Sequence, residues 1–433
     1  MRTSWRWIGV LALALGLLRG APAAAADTAR SRPPAICRTL DLTSTRPTLA
    51  ERWIQHFAAA TNDPFLRELA RRVLDGYRLR YQDCLRLNQI QVIGTHNSYR
   101  ERTFEPYFTQ FLGLFGSVAA ALDYAHIALD QQFETQAIRQ IEIDVFADPV
   151  GGLFSNRLGP TIFGHPTESG VPALDLPGFK VLHIQDIDFQ STCFTFIDCL
   201  DTIKGWSDAH PGHFPIAILV ELKDDVFLPE FGTAIPQFIG PIELDALDAE
   251  IRSVFPPDQL IVPDDVRRGR PTLEAGVLTD GWPTLAEARG RVLFLMDNAG
   301  QKREFYRDGH PSLEGRVLFT NSVPGDADAA FVKLNDPIRD ADVIHDVVAA
   351  GYLVRTRADA DTKEARTGNT VPRDTALASG AQFVSTDYPV DEPKFPPDYV
   401  VELPGGPPAR CNPVSAPAKC DSATLRRLET LRR

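Results

Sequence analysis

Short apolar runs recur along the chain and stop abruptly at polar residues. Ile90 to Ile93 leads into Gly94-Thr95-His96-Asn97-Ser98-Tyr99, the 216–220 run into Glu221-Leu222-Lys223-Asp224, and the 292–296 run into Asp297. Runs of this kind predict strands, and a strand that ends in an ionisable residue is how a barrel presents chemistry at its carboxyl end. Further strands are predicted at 141–146, 181–184, 317–321, 352–357 and 382–387. Helical spacing of three to four marks 48–86, where Trp53, Ile54, Phe57, Phe65, Leu66, Leu69, Val73 and Leu74 share a face, and also 244–255, 341–350 and a segment near 375–379. The stretch 104–124, rich in Phe and Leu, reads as a core-facing helix, with an apolar rim that touches lipid as the alternative.

Eight strands with helical segments between them, spread over roughly 300 residues, predict an α/β fold of the (β/α)8 TIM-type, which typically takes about 250. The predicted organisation is a signal peptide over 1–26, a helical N-terminal cap over 27–88, a catalytic barrel over 89–390 and a short C-terminal extension over 391–433. The Pro/Gly-rich stretch 389–408 marks the end of the barrel.

The leader changes the picture of compartment. Arg2 and Arg6 precede an apolar run from 8 to 18, and an Ala-rich site predicts cleavage after Ala26, so the expected location is secreted or periplasmic. No later apolar run reaches the roughly 20 residues a membrane span needs. Six cysteines suit an oxidising space, and sequence proximity suggests Cys193 with Cys199, Cys411 with Cys420, and Cys37 with Cys84. The formal net charge of -12 excludes a nucleic-acid partner, which would need basic surface. The chain is expected to be a monomer.

In 141–145, Glu142 and Asp144 share one strand face and Ile141, Ile143 and Val145 the other. If the apolar face lies under helices, two carboxylates point into the barrel and need a cation. Asn97 and Glu221, from two other strand ends, complete an all-oxygen set suited to calcium. His96, on the same strand end as Asn97, and His183, from a different one, suit proton transfer on either side of a substrate. Lys223, Arg355 and Arg357 bring positive charge suited to phosphate oxygens. Phosphate-binding Gly loops and a nucleophile elbow are absent from the sequence.

In this order, Thr95-His96-Asn97-Ser98-Tyr99, Glu142-x-Asp144, His183, Glu221-Leu222-Lys223-Asp224, Arg355-Thr356-Arg357-Ala358-Asp359 and Ser385-Thr386-Asp387-Tyr388 resemble the phosphatidylinositol-specific phospholipase C family, in its secreted bacterial calcium-dependent branch. The resemblance covers about 89 to 389. It implies a TIM-type barrel with His96 and His183 catalytic, and calcium on Asn97, Glu142, Asp144 and Glu221. Lys223, Arg355, Arg357, Asp387 and Tyr388 are then implied at the substrate. The metal-independent bacterial enzymes place an arginine where the calcium stands, and Arg355 or Arg357 could reach in and compete. The implied reaction is cleavage of phosphatidylinositol at a membrane surface to diacylglycerol and a cyclic inositol phosphate. The rival readings are a glycerophosphodiester phosphodiesterase or phospholipase D-like barrel, whose first histidine is usually followed by Arg-Gly, and a non-catalytic inositol- or lipid-binding barrel.

Overall fold

In the computed structural model, residues 46–392 and 399–430 are described, together with 37, 42, 44, 394 and 395. The expected leader at 1–26 lies outside the described residues. The strands are β1 (Ile90–Thr95), β2 (Gln140–Phe146), β3 (Lys180–Val181), β4 (Ile216–Leu222), β5 (Leu260–Ile261), β6 (Val292–Met296), β7 (Leu318–Phe319), β8 (Phe331–Lys333), β9 (Leu353–Arg357), β10 (Phe383–Thr386) and β11 (Arg410–Cys411).

Eight of them form a curled sheet in the order β5-β6-β4-β2-β1-β10-β9-β8. Every pairing along that path is parallel. β7 runs parallel to β6 on the edge that β5 also uses, and a parallel bridge from Asn321 to Phe331 links the chain beyond β7 to β8. The fold is that of a TIM-type barrel. Its strands are buried on both faces and read as nearly unbroken apolar runs for that reason.

One expected strand is corrected, and two short strands of the curled sheet, β5 and β8, are not among those expected. The run at 181–184 is not a barrel stave: only Lys180–Val181 is extended, and it pairs antiparallel with β2 through Val181 and Val145. The chain then reverses at once, with the amide of Asp188 donating to the carbonyl of Ile184 and Asp186 in the left-handed region at φ 68°. In its place β8 enters the sheet, and with only three residues it carries too short a pattern to stand out in the sequence.

The helix Leu49–Ala60 begins at a capping box between Thr48 and Glu51, and the helix Pro64–Asp83 begins at Asp63, whose carboxylate accepts from the amides of Phe65 and Leu66. They pack on each other around Ile54, Ala70 and Val73. The chain end returns to the same side of the barrel. β11 pairs antiparallel with the start of β1, and Glu429, beyond the helix Ser422–Leu428, accepts from Arg139 Nε at 2.7 Å and from the amide of Phe214 at 2.9 Å. The disulfides are Cys37–Cys84, Cys193–Cys199 and Cys411–Cys420, the pairs that proximity suggested. They fit an extracellular or periplasmic protein. Among the described residues no helix is long and apolar enough to cross a membrane.

Candidate active site

The carboxyl ends of β1, β2, β4, β9 and β10 converge on one polar centre. Gly94 permits the first approach: a Cβ there would lie 1.8 Å from the side-chain oxygen of Gln140, so β1 and β2 come together only because that position has no side chain. Past the strand, Asn97 adopts the left-handed conformation at φ 46°, which asparagine tolerates. The backbone then exchanges bonds with β2: the amide of Ser98 donates to the carbonyl of Glu142 at 2.9 Å, and the amide of Glu142 donates to Ser98 Oγ at 2.8 Å. His96 and Asn97 are thereby fixed beside the E-x-D pair.

On β2 the alternation is as expected. Ile141, Ile143 and Val145 join the main core, while Glu142 and Asp144, equally buried, point into the barrel. Oxygens of Glu142, Asp144 and Glu221 lie within 4.8 Å of one another. Both carboxylate oxygens of Asp144 are buried without a hydrogen-bond partner. Burial, with Glu221 beside it, holds the Asp144 carboxyl well above its usual range. Asn97 donates through Nδ2 to the Tyr124 hydroxyl at 2.8 Å, which leaves its buried Oδ1 unpaired. Three carboxylates thus meet, the unpaired Oδ1 of Asn97 belongs to the adjoining strand end, and Lys223 and Arg355 offset part of the negative charge. That set fits a hard cation such as calcium.

Lys223 is the nearest positive charge to Asp144 and Glu221. Its Nζ lies 3.2 Å from Glu221 Oε1 and 3.6 Å from Asp144 Oδ2. Burial opposes the ammonium, yet the two carboxylates outweigh it and raise its pKa. Arg355 is committed elsewhere. Fully buried, it donates through Nη2 to Glu142 and to Ser385 Oγ and through Nη1 to Asn335. Burial still pushes the Glu142 carboxyl up to about 7, against the pull of Arg355.

Each histidine is held by a carboxylate. His96 Nδ1 is 2.8 Å from Asp387 Oδ1, and Arg357 reaches both partners, with Nη1 3.3 Å from His96 Nε2 and Nη2 3.3 Å from Asp387 Oδ2. Burial, then Arg357 and Arg355, hold the His96 pKa well below its usual value. His183 Nδ1 is 2.8 Å from Asp188 Oδ2. Arg100 grips that carboxylate through Nε at 2.5 Å and Nη2 at 2.9 Å. Burial works against the Asp188 charge, but Arg100 and His183 keep its pKa low. The two histidine side chains stay 17% and 18% exposed, so each keeps an edge open to the cleft while its Nδ1 is tied down.

His96, Asn97, Glu142, Asp144, Glu221, Lys223, Arg355, Arg357 and Asp387 come together, with His183 at the margin on the reversed turn after β3. The Tyr388 ring packs on Phe395 and Tyr399, its hydroxyl is buried without a hydrogen-bond partner, and its amide donates to Thr386 Oγ1 at 2.9 Å. Asp387 faces His96 rather than open space. The sequence reading missed Asp188, Arg100 and Tyr124, although Arg100 directly follows the His96 motif and Asp188 stands five residues after His183. Asp359, part of the 355–359 motif but given no role there, accepts from the amide of Asp387 at 2.8 Å and from Thr386 Oγ1.

The sequence model of calcium-dependent phosphoinositide phospholipase C matches residues 85–413. The chain belongs to this family. The phospholipase C is thus a phosphodiesterase of a calcium-dependent family, and its buried oxygen cluster offers the ligands that dependence requires. Among solved structures it is similar to a calcium-dependent phosphoinositol-specific phospholipase C from a Gram-negative Pseudomonas species (apo form, myoinositol complex), at 16% identity and TM-score 0.46, over 77% of this chain and 97% of that one. It is also similar to the calcium-dependent phosphatidylinositol-specific phospholipase C of Streptomyces antibioticus, at 18% identity and TM-score 0.42, over 70% of this chain and 95% of that one. No curated protein sequence matches the chain.

Proposed function

We propose that this phospholipase C cleaves phosphatidylinositol to diacylglycerol and a cyclic inositol phosphate outside the cytoplasm. The observation that carries the reading is the pairing of two carboxylate-held histidines with one all-oxygen cation centre.

In this reading the inositol 2-hydroxyl oxygen attacks phosphorus, and the bond from phosphorus to the diacylglycerol oxygen breaks. Asn97, Glu142, Asp144 and Glu221 would hold calcium, which would supply charge stabilisation at the phosphate and a lower pKa for the attacking hydroxyl. His96, whose Nδ1 proton is fixed on Asp387, takes the hydroxyl proton on Nε2. His183, oriented by Asp188, gives a proton to the departing oxygen. Arg357, beside His96, offers its guanidinium to the phosphate oxygens. Lys223 is placed to do the same once the carboxylates it touches hold a cation.

The membrane enters through the barrel rim. Leu114, Phe115 and Val118 follow β1, Ile162 follows β2, and Phe227 and Phe231 follow β4, all exposed on connections that leave strand carboxyl ends. Exposed apolar patches of this kind mark interaction surfaces, and a monomer docking transiently by this rim would bring the cleft to its lipid.

The test is release of inositol phosphates from phosphatidylinositol vesicles by the purified chain. Cyclic inositol phosphate formed with calcium and abolished by a chelator supports the reading. Turnover that survives chelation, or none in either condition, removes it.

A further inference from the structure

A second cavity, of about 370 Å³, lies beside the turn that carries His183 and has no part in the reaction above. Its size is in the usual range for small-molecule sites, about 300–1,000 Å³. Arg157 lines it, on the connection after β2. This side chain is only 7% exposed, and its Nε and Nη2 are buried with no hydrogen-bond partner. The guanidinium stacks over Phe189, its central carbon 4.1 Å from the ring centroid, with Phe194 at 5.8 Å. Burial alone lowers its pKa to about 10, with no neighbouring acid to offset it. A buried guanidinium without an anion is costly, and the fold around it carries that cost.

Opposite charge stands in the same cavity. Glu101 and Glu168 line it, both exposed at the surface. Burial alone raises the Glu101 carboxyl, with no cation beside it. Phe104 and Phe194 supply apolar wall. A bare anion would meet the two carboxylates and a bare cation would meet Arg157, so the charges match a molecule that carries both signs.

We propose that this cavity is a binding subsite for a phosphate–ammonium zwitterion, with the phosphate on Arg157 and the ammonium on Glu101 and Glu168. The planar fork of a guanidinium suits phosphate oxygens, and the ammonium's donors suit carboxylates and the faces of phenylalanine rings. The site stands apart from the catalytic residues but is joined to them. Phe189 follows Asp188, the carboxylate on His183, and the amide of Leu158 donates to Asp186 Oδ1 at 2.7 Å. The pair of charges occurs both in phospholipid headgroups and in their soluble, chain-free forms.

The experiment is calorimetric titration of the calcium-loaded full chain with glycerophosphoethanolamine. Saturable binding is expected, with inorganic phosphate binding at least about tenfold more weakly and Arg157→Met weakening the zwitterion at least about tenfold. Glu101→Gln combined with Glu168→Gln weakens it as well, and carries the test should Arg157→Met fail to fold. His183→Ala leaves the affinity unchanged. Flotation with phosphatidylethanolamine vesicles separates the sources: capture that Arg157→Met abolishes identifies the lipid headgroup, and binding of the soluble compound alone identifies the chain-free form. Absence of binding by either probe, equal affinity in the Arg157 and Glu101/Glu168 variants, phosphate binding as tight as the zwitterion, or loss of binding in His183→Ala overturns the proposal.

Discussion

His96 Nδ1 and Asp387 Oδ1 are 2.8 Å apart, although 291 residues separate them in the chain. A carboxylate there keeps the proton on Nδ1 and the lone pair on Nε2, the nitrogen that Arg357 also faces. Asp387→Asn can donate to Nδ1 instead and so favours the other tautomer. It is expected to lower kcat by about 10²–10⁴ with little change in KM, and to remove the downfield Nδ1 proton from the NMR spectrum. A variant with normal turnover would show that the pair is structural.

Asp144 has both oxygens buried without a partner, so a bound cation should stabilise the fold as well as the chemistry. At calcium one hundred times its Kd the gain is about 2.7 kcal/mol, or several degrees in Tm. Scanning calorimetry should show this increment in the native chain and not in Asp144→Asn. An increment that persists in the variant would place the cation elsewhere.

Lys223 holds its ammonium 3.2 Å from Glu221 and 3.6 Å from Asp144, where it competes for the same negative charge. Lys223→Met should therefore bind calcium several-fold more tightly in a direct titration, while turnover falls. Weaker calcium binding would mean that the lysine supports the site instead of competing with it.

Leu114 and Val118 are 60% and 67% exposed on the connection after β1. Replacing both by aspartate leaves the cleft intact and spoils its approach to lipid. Turnover of vesicle substrate should drop at least about tenfold, since each buried apolar side chain contributes roughly 1.5–3 kcal/mol, while cleavage of a short-chain phosphatidylinositol dissolved as monomers is unchanged. Equal losses on both substrates would argue against interfacial docking.

Burial lifts Asp248 to about 6, in spite of the Tyr306 hydroxyl and Arg316 beside it. A carboxyl whose pKa is raised in the fold gives stability that is present in full below its unfolded value and is lost as pH rises through about 6. Asp248→Asn keeps an oxygen for Tyr306 and removes that slope. Denaturation curves of the two proteins should coincide near pH 4 and separate in favour of the variant by about 2–3 kcal/mol at pH 7. A constant difference across this range would assign the effect to packing.

The residues that carry chemistry at strand ends were legible because burial on both faces leaves such strands apolar until they stop. Glu142 and Asp144 stood out inside a run of Ile and Val for the same reason. His183 lies at the margin of the centre, on a different kind of element from the barrel strand that its pattern predicts. An apolar pair followed by histidine looks the same whether its strand runs parallel or antiparallel, and the direction is set by the tight reversal at 184–188. Alternation placed Arg355 and Arg357 on one face. It could not tell that Arg355 would be consumed by Glu142 and Asn335 while Arg357 stayed beside His96, because those partners lie on, or just past the ends of, other strands. Asp188 and Arg100 were missed because what they orient is a side chain rather than a substrate, and such service leaves no pattern in sequence.

β1 lies between β2 and β10, and its first residues also pair with β11. A polypeptide made from its amino end therefore carries a bare edge on its first strand for almost the whole of its synthesis. The same wait applies to His96, whose carboxylate arrives only after β10. A product that stops short of that strand has the three clustered carboxylates and both histidines, yet no Asp387 to hold the Nδ1 of the first. The setting of that one imidazole therefore waits on nearly all of the sheet.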